Sequence, residues 1–191
     1  MGFDCMGNQI KYFYKTNRLE KKNTFMKLSK EIFNNLIDEL SKTPTVNKSE
    51  WEKRISLVSD FKKIKENNSK ITNTKLTHYS FRNERLNKII SEISKRDIKD
   101  AISLHIIEAE PPASTIPHTD KYSQLTLNIL LEDDFEGGYI HINGIKINGL
   151  RKKGDYLIYN GSKEPHSVTP VTKGKRKSLV VWFFDNNRSL I

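Results

Sequence analysis

The chain has 191 residues, enough for one well-buried domain and short for two, and its 36% hydrophobic content lies outside the disordered range. A single cysteine, Cys5, excludes an internal disulfide and a cysteine-based zinc site. The formal charge of +10 belongs to one half: residues 1–100 hold 22 Lys and Arg against 13 Asp and Glu, whereas residues 101–191 hold 11 against 10. No apolar run approaches the length of a membrane span. The start, Met1-Gly-Phe-Asp-Cys-Met, carries neither a secretory n-region nor a myristoylation signal. A cytoplasmic protein without a membrane partner is expected. The basic half reads as a Lys-rich solvated face; it admits nucleic acid as a partner without favouring it, since no nucleic-acid-binding motif accompanies it.

Residues 1 to 22 read as an early strand or an irregular arm. From Thr24 the apolar residues Phe25, Leu28, Ile32, Phe33, Leu36, Ile37 and Leu40 recur at three and four positions, which predicts an amphipathic helix ending near Ser41, before Pro44. A second helix is predicted from an N-cap at Ser49 through Trp51, Ile55, Leu57, Val58, Phe61 and Ile64, with Trp51 as a core residue. A polar loop at 66–70 and a short strand over 75–81 follow. Leu86, Ile89, Ile90 and Ile93 predict a third helix that closes before Asp97.

From Ala101 the period drops to two. Leu104, Ile106 and Ala109 lie along a strand that Pro111-Pro112 is expected to break, and His105 reads as a satisfied structural histidine. Further strands are predicted at 124–131, 155–159, 166–171 and 176–184. Between them, Glu136-Gly137-Gly138 signals a turn or bulge, Asn160-Gly161 and Lys173-Gly174-Lys175 signal turns, and Asn143-Gly144 and Asn148-Gly149 flank a hairpin strand. About eight short strands at this spacing predict an α+β, mainly β fold: a jelly-roll core with the N-terminal helices packed on one outer face. The whole chain, 1–191, is expected to form a single folding unit, with residues 1–100 as a mostly helical support and 101–185 as the core.

His118-Thr119-Asp120 lies on an extended piece, where residues two apart project to one side. His166, brought in from a distant strand, would complete a face of two imidazoles and one carboxylate, the ligand set of non-haem Fe(II) oxygenases. With Thr126-x-Asn128, Phe135-Glu136-Gly137-Gly138, Gly154 before a strand, His166-Ser-Val-Thr-Pro-Val-Thr-Lys-Gly-Lys-Arg176-Lys-Ser178-Leu and Trp182-Phe183, the stretch from 101 to 185 resembles the Fe(II)/2-oxoglutarate-dependent dioxygenases, in their prolyl and lysyl hydroxylase branch.

That resemblance implies a double-stranded β-helix that binds Fe(II), 2-oxoglutarate and O2, with ascorbate as a compatible reductant. His118, Asp120 and His166 would be the metal ligands. Arg176, ten residues beyond His166, would grip the distal carboxylate of 2-oxoglutarate through its planar fork, supported by Ser178 at the same strand parity. Asn128 and Thr126 would lie beside the metal or co-substrate. Tyr122 and Tyr159 are aromatic hydroxyls near these motifs with a barrel-filling role as the alternative. The implied reaction is C–H hydroxylation coupled to decarboxylation of 2-oxoglutarate to succinate, and no separate acid or base residue is assigned. Arg176 stands where prolyl 4-hydroxylases usually carry Lys, which leans the match towards lysyl hydroxylases. Leu179-Val-Val-Trp-Phe lacks the second arginine of nucleic-acid demethylases, and Asp120 disfavours halogenation. A prolyl or lysyl side chain of a protein or peptide is the expected substrate. A small molecule or nucleic-acid component, and a non-catalytic binding module, are the competing readings.

Overall fold

The computed structural model describes residues 13–14, 21–22, 26–47, 71–120 and 123–184. Its strands, in chain order, are β1 (Phe13–Tyr14), β2 (Lys21–Lys22), β3 (Met26–Lys27), β4 (Thr45–Val46), β5 (Ile71–Tyr79), β6 (Ala101–His118), β7 (Leu125–Leu130), β8 (Phe135–Gly137), β9 (Ile140–Ile142), β10 (Ile145–Lys146), β11 (Asp155–Tyr159), β12 (His166–Val168), β13 (Val171–Gly174) and β14 (Arg176–Phe183). Among the described residues, two α-helices, α1 (Lys30–Lys42) and α2 (Glu84–Ser94), precede β6. The predicted second helix over 49–64 and the loop at 66–70 lie outside the described residues.

Both helices begin where a short polar side chain can take an orphan backbone proton. The Ser29 hydroxyl accepts from the Ile32 N–H and the Asn83 side-chain carbonyl from the Leu86 N–H. The Ser29 cap sets the start of α1 later than the apolar stripe suggested, and β3 occupies part of the difference. Asn83 also joins the helices: its amide donates to Glu39 Oε2 at 3.1 Å, to the Glu39 carbonyl and to Thr43 Oγ1.

The main sheet is antiparallel, with the order β10-β9-β12-β6-β14-β7-β11-β3 and β5 also paired to β6. β8 and β13 pair separately. β6 organises the fold. Its first half pairs with β14 from Ala101 to Ala109, and its last residues pair with β12 at Thr115 and His118. One long strand thus passes from one layer of the jelly roll to the other. This corrects the expectation that Pro111-Pro112 ends the strand. A proline lacks only the N–H, and β6 continues through both residues, whose shared peptide bond is cis.

Two further expectations change. The predicted strand 166–171 is two strands, β12 and β13, interrupted at Thr169-Pro170, where the Pro170 carbonyl accepts from the Gly138 N–H instead of continuing a ladder. Asn143-Gly144 forms the tight β9–β10 turn with both residues at positive φ, but Asn148-Gly149 forms no second hairpin. The buried Ile147 and Leu150 draw that segment into the core instead.

Alternation along the strands splits the sheet into two faces. Leu104 and Ile106 of β6, Leu127 and Ile129 of β7, and Leu179, Val181 and Phe183 of β14 pack against Leu36 and Leu40 of α1 and Leu86, Ile90 and Ile93 of α2. The helices therefore cover one face, as expected for this mainly β fold. The opposite face looks into the roll, where Ile140, Ile142, Leu157 and Tyr159 form a second core.

Candidate metal and co-substrate site

His118 ends β6 and His166 begins β12, and the two are direct partners across the antiparallel ladder. Their rings lie 4.4 Å apart. Asp120 follows two residues beyond His118, and its carboxylate reaches both: His118 Nε2 is 3.5 Å from Oδ1 and His166 Nε2 is 3.3 Å from Oδ2. One ligand atom from each of the three residues falls within 4.8 Å of the others, as a single metal ion requires. Each imidazole turns its other nitrogen away. His118 Nδ1 lies 2.9 Å from the Ile116 carbonyl, and His166 Nδ1 lies 2.9 Å from the Glu164 carbonyl. A carbonyl only accepts, so both Nδ1 atoms carry the proton, and in the neutral rings both Nε2 atoms present a lone pair to the shared space.

Burial pushes the Asp120 carboxyl up, but the hydrogen bonds that His118 and His166 donate from Nε2 in their doubly protonated form outweigh it and hold the group well below the ordinary carboxylate range. Burial also works against the His166 imidazolium, and Asp120 with Glu164 more than offsets it, so that group is held above its ordinary value. Both shifts have one meaning: the space between the three residues favours positive charge. A divalent cation supplies that charge, and imidazole and carboxylate donors suit iron.

Arg176, Ser178 and Asn128 lie on the inward face of the neighbouring strands. Val180 is the direct partner of Asn128 and Ser178 that of Leu130, so alternation puts all three site residues on one side. Arg176 is 3% exposed, and neither its Nε nor its Nη2 has a hydrogen-bond partner among the described residues; Ser178 Oγ and Asn128 Oδ1 are likewise buried and unpaired. Burial pushes the guanidinium down to about 10, Tyr159 partly offsets this, and Arg151 lowers it further, so Arg176 remains charged at neutral pH. Arg151 itself is occupied by neutral partners, donating to the carbonyls of Gly137 and Phe135 and stacking over the Phe135 and Tyr139 rings. A buried cation with free donors, beside a second cation, awaits an anion. An unpaired buried polar group costs about 1–3 kcal/mol, more when charged, and a bound carboxylate removes that cost. Arg176 and Ser178 fit the distal carboxylate of 2-oxoglutarate, whereas Asn128 Oδ1 is an acceptor and calls for a donor instead.

Thr126 stands apart, because its hydroxyl lies 2.9 Å from Ser123 Oγ and also bonds to the Tyr159 phenol. Tyr159 packs edge-on to the His166 ring at 4.9 Å, and burial pushes its phenol well above the ordinary value. Tyr122 lies outside the described residues. His105 is 2% exposed, bonded through Nδ1 to Ser103 Oγ and packed on Trp182, with burial pushing its pKa down to about 3.

Residues without a chemical motif complete the site. A Cβ at Gly161 would lie 2.5 Å from Thr126 Oγ1 and 3.1 Å from Asp120 Oδ2, so only glycine lets this loop approach the carboxylate. Gly138, at φ +60°, leaves room for the Arg176 stem, whose Cδ would be 2.9 Å from an added Cβ. Gly161 read in the sequence only as a turn signal, and Gly138 as a turn or bulge signal within the Phe135-Glu136-Gly137-Gly138 motif. Arg151 and Ser123 gave no signal there at all.

Residues 104–184 match the family model of the 2OG-Fe(II) oxygenase superfamily. Among solved structures, the chain is similar to the viral collagen prolyl hydroxylase of Paramecium bursaria Chlorella virus-1 in complex with 2OG, at 14% identity and a TM-score of 0.54, covering 83% of this chain and 93% of that one. It is also similar to a Pseudomonas putida prolyl-4-hydroxylase, at 12% identity and a TM-score of 0.47 over 81% of this chain and 99% of that one. A Trichoplax adhaerens prolyl hydroxylase in complex with a hypoxia inducible factor peptide gives 14% identity and a TM-score of 0.47 over 82% and 90% of the two chains. No curated protein matches the chain. The fold is that of the viral prolyl hydroxylase, and residues 104–184, which hold every residue of the candidate site, are similar to the 2OG-Fe(II) oxygenase superfamily.

Proposed function

We propose that the protein is an Fe(II)- and 2-oxoglutarate-dependent dioxygenase that hydroxylates a C–H bond on a prolyl or lysyl side chain of a protein or peptide. The observation that carries this reading is the buried guanidinium of Arg176 with unpaired Nε and Nη2, joined through Tyr159 to the His118–Asp120–His166 cluster. Tyr159 borders both, packing on the His166 ring and interacting with Arg176, so one ligand can reach from the metal ligands to the buried guanidinium.

In this reading, iron held by His118, Asp120 and His166 supplies the redox chemistry when bound, using O2 and 2-oxoglutarate and yielding succinate and CO2. The chain's own residues do the rest. The Ile116 and Glu164 carbonyls fix the imidazole tautomers, so the Nε2 lone pairs are the ones offered to the metal. Arg176 pairs with the distal carboxylate through its free donors and Ser178 offers its hydroxyl, while Asn128 on the same wall presents a free acceptor, Oδ1, to a donor of the bound ligands. Leu157, the direct partner of Asn128, packs with Ile140 and Ile142 into an apolar cluster beside that wall, and apolar surroundings strengthen each polar contact. The protein-side-chain substrate is supported by the fold shared with the viral collagen prolyl hydroxylase. Among the described residues no helix is long and apolar enough to cross a membrane.

The test is succinate formation from 2-oxoglutarate with Fe(II), in the wild type and in His166→Ala. Turnover in the wild type and its loss in the variant are expected. A folded, iron-loaded wild type that forms no more succinate than the variant contradicts the reading.

A further inference from the structure

Asp120 is the ligand whose placement the strands do not explain. His118 and His166 are opposed partners on β6 and β12, whereas Asp120 lies beyond the end of β6. Two backbone bonds hold it: its N–H donates to the Gly161 carbonyl at 2.8 Å, and its carbonyl accepts from the Ser123 N–H at 2.8 Å. The Ser123 carbonyl in turn accepts from the Ser162 N–H at 2.7 Å. Ser123 is therefore tied both to Asp120 and to the loop that carries Gly161.

The side chain of Ser123, in a residue 1% exposed, extends the tie. Its hydroxyl donates to the Leu125 carbonyl at 2.9 Å and lies 2.9 Å from Thr126 Oγ1. The Thr126 hydroxyl also bonds to the phenol of Tyr159, its direct partner across β7 and β11.

Donor counting fixes the direction of this run of hydroxyls. Ser123 has one hydroxyl proton, and the Leu125 carbonyl, which can only accept, takes it. Thr126 must then donate to Ser123, and Tyr159 to Thr126. The three hydroxyls form one directed run that ends on a backbone carbonyl, with every proton committed. Thr126 has no proton left for a carboxylate ligand, unlike the unpaired Ser178 on the same wall. Thr126 Oγ1 and Asp120 Oδ2 both border the space a Cβ at Gly161 would fill, so the hydroxyl packs against the loop whose carbonyl holds the Asp120 N–H.

We propose that Ser123, Thr126 and Tyr159 are positioning residues that hold the Asp120 backbone and the Gly161 loop bonded to it, and so set the affinity of the triad for its divalent cation. This rests on reading the triad as the metal site. Groups of this kind, bonded around a metal ligand, typically change metal affinity when removed.

Thr126→Val keeps the shape and removes the hydroxyl, Thr126→Ser keeps the hydroxyl, and Tyr159→Phe removes the first donor of the run. The readouts are Mn(II) affinity by electron paramagnetic resonance and the visible absorption of the Co(II)-loaded protein. Thr126→Val should weaken Mn(II) binding about tenfold and shift the Co(II) bands, Thr126→Ser should bind as the wild type does, and Tyr159→Phe should move both readouts in the direction of Thr126→Val. A folded Thr126→Val with wild-type Mn(II) affinity and an unchanged Co(II) spectrum overturns the proposal. If that variant does not fold, the same two measurements on Tyr159→Phe decide the matter, and wild-type values there overturn it equally. Asp120→Ala separates the two levels: if it binds Mn(II) as well as the wild type, the triad reading itself falls, whereas its loss of binding beside an unaffected Thr126→Val removes only the positioning role.

Discussion

The two faces of the central sheet are made by the same three strands and differ in what their buried positions contain. On the helix-covered face β6, β7 and β14 present Leu104, Ile106, Leu127, Ile129, Leu179 and Val181, all apolar and closed by α1 and α2. On the inward face the same strands present His105, Thr126, Asn128, Arg176 and Ser178, equally buried, and three of these keep unpaired polar atoms. A strand flips face with every residue, so burial is uniform along it while chemistry is confined to alternate positions. The outer face supplies stability, and the inner face gives up part of it by leaving polar groups unpaired, which the proposed function explains as a ligand site.

The largest effect on folding should come from the outer face. Leu127 is fully buried beneath the helices, and Leu127→Ala should cost about 2–5 kcal/mol in urea-induced unfolding. A change below about 0.5 kcal/mol, the range of neutral surface positions, would mean the face is not packed as described.

An intermediate effect concerns pH and belongs to the inner face. His105 is held neutral by burial, with its pKa lowered to about 3 from an ordinary 6.5. The unfolded chain therefore takes up the proton first. Stability should be full above pH 6.5 and fall as the pH drops towards 3, by about 1.4 kcal/mol per pH unit from this group. His78, lowered to about 4 by burial, adds to the same limb. His105→Gln should flatten the acid limb of the unfolding curve. An unchanged limb would show that His105 is protonated in the fold.

The smallest effect is local. Ser29→Ala removes the α1 cap and should cost about 1 kcal/mol, read by thermal unfolding, with no change in metal binding because α1 lies on the outer face.

How much of this was legible in the sequence follows the same division. The period-two and period-3.6 patterns exposed the outer face, since Leu36, Leu40, Ile90 and Leu179 are spaced by the geometry that buries them. The candidate site residues stood out by chemistry and motif. What stayed hidden depends on approach in three dimensions. Pro111-Pro112 looked like a strand end, because a missing N–H predicts a lost bond without saying whether the partner strand needs it there. Ser123 and Arg151 carry no spacing signal, because their partners are backbone carbonyls whose positions only the fold supplies. Gly161 marked a turn, but its reason, the Asp120 carboxylate beside it, appears only when two loops meet.

The central claim is that the inner face is a co-substrate site built around Arg176. Isothermal titration of 2-oxoglutarate into the Mn(II)-loaded protein tests it most directly, comparing the wild type with Arg176→Met, which fills similar space without charge. The account predicts saturable binding to the wild type, its loss in the variant, and no loss of folding stability in that variant, since the charge it removes is buried and unpaired. Equal affinity in both proteins, or no binding by a folded and metal-loaded wild type, would contradict it.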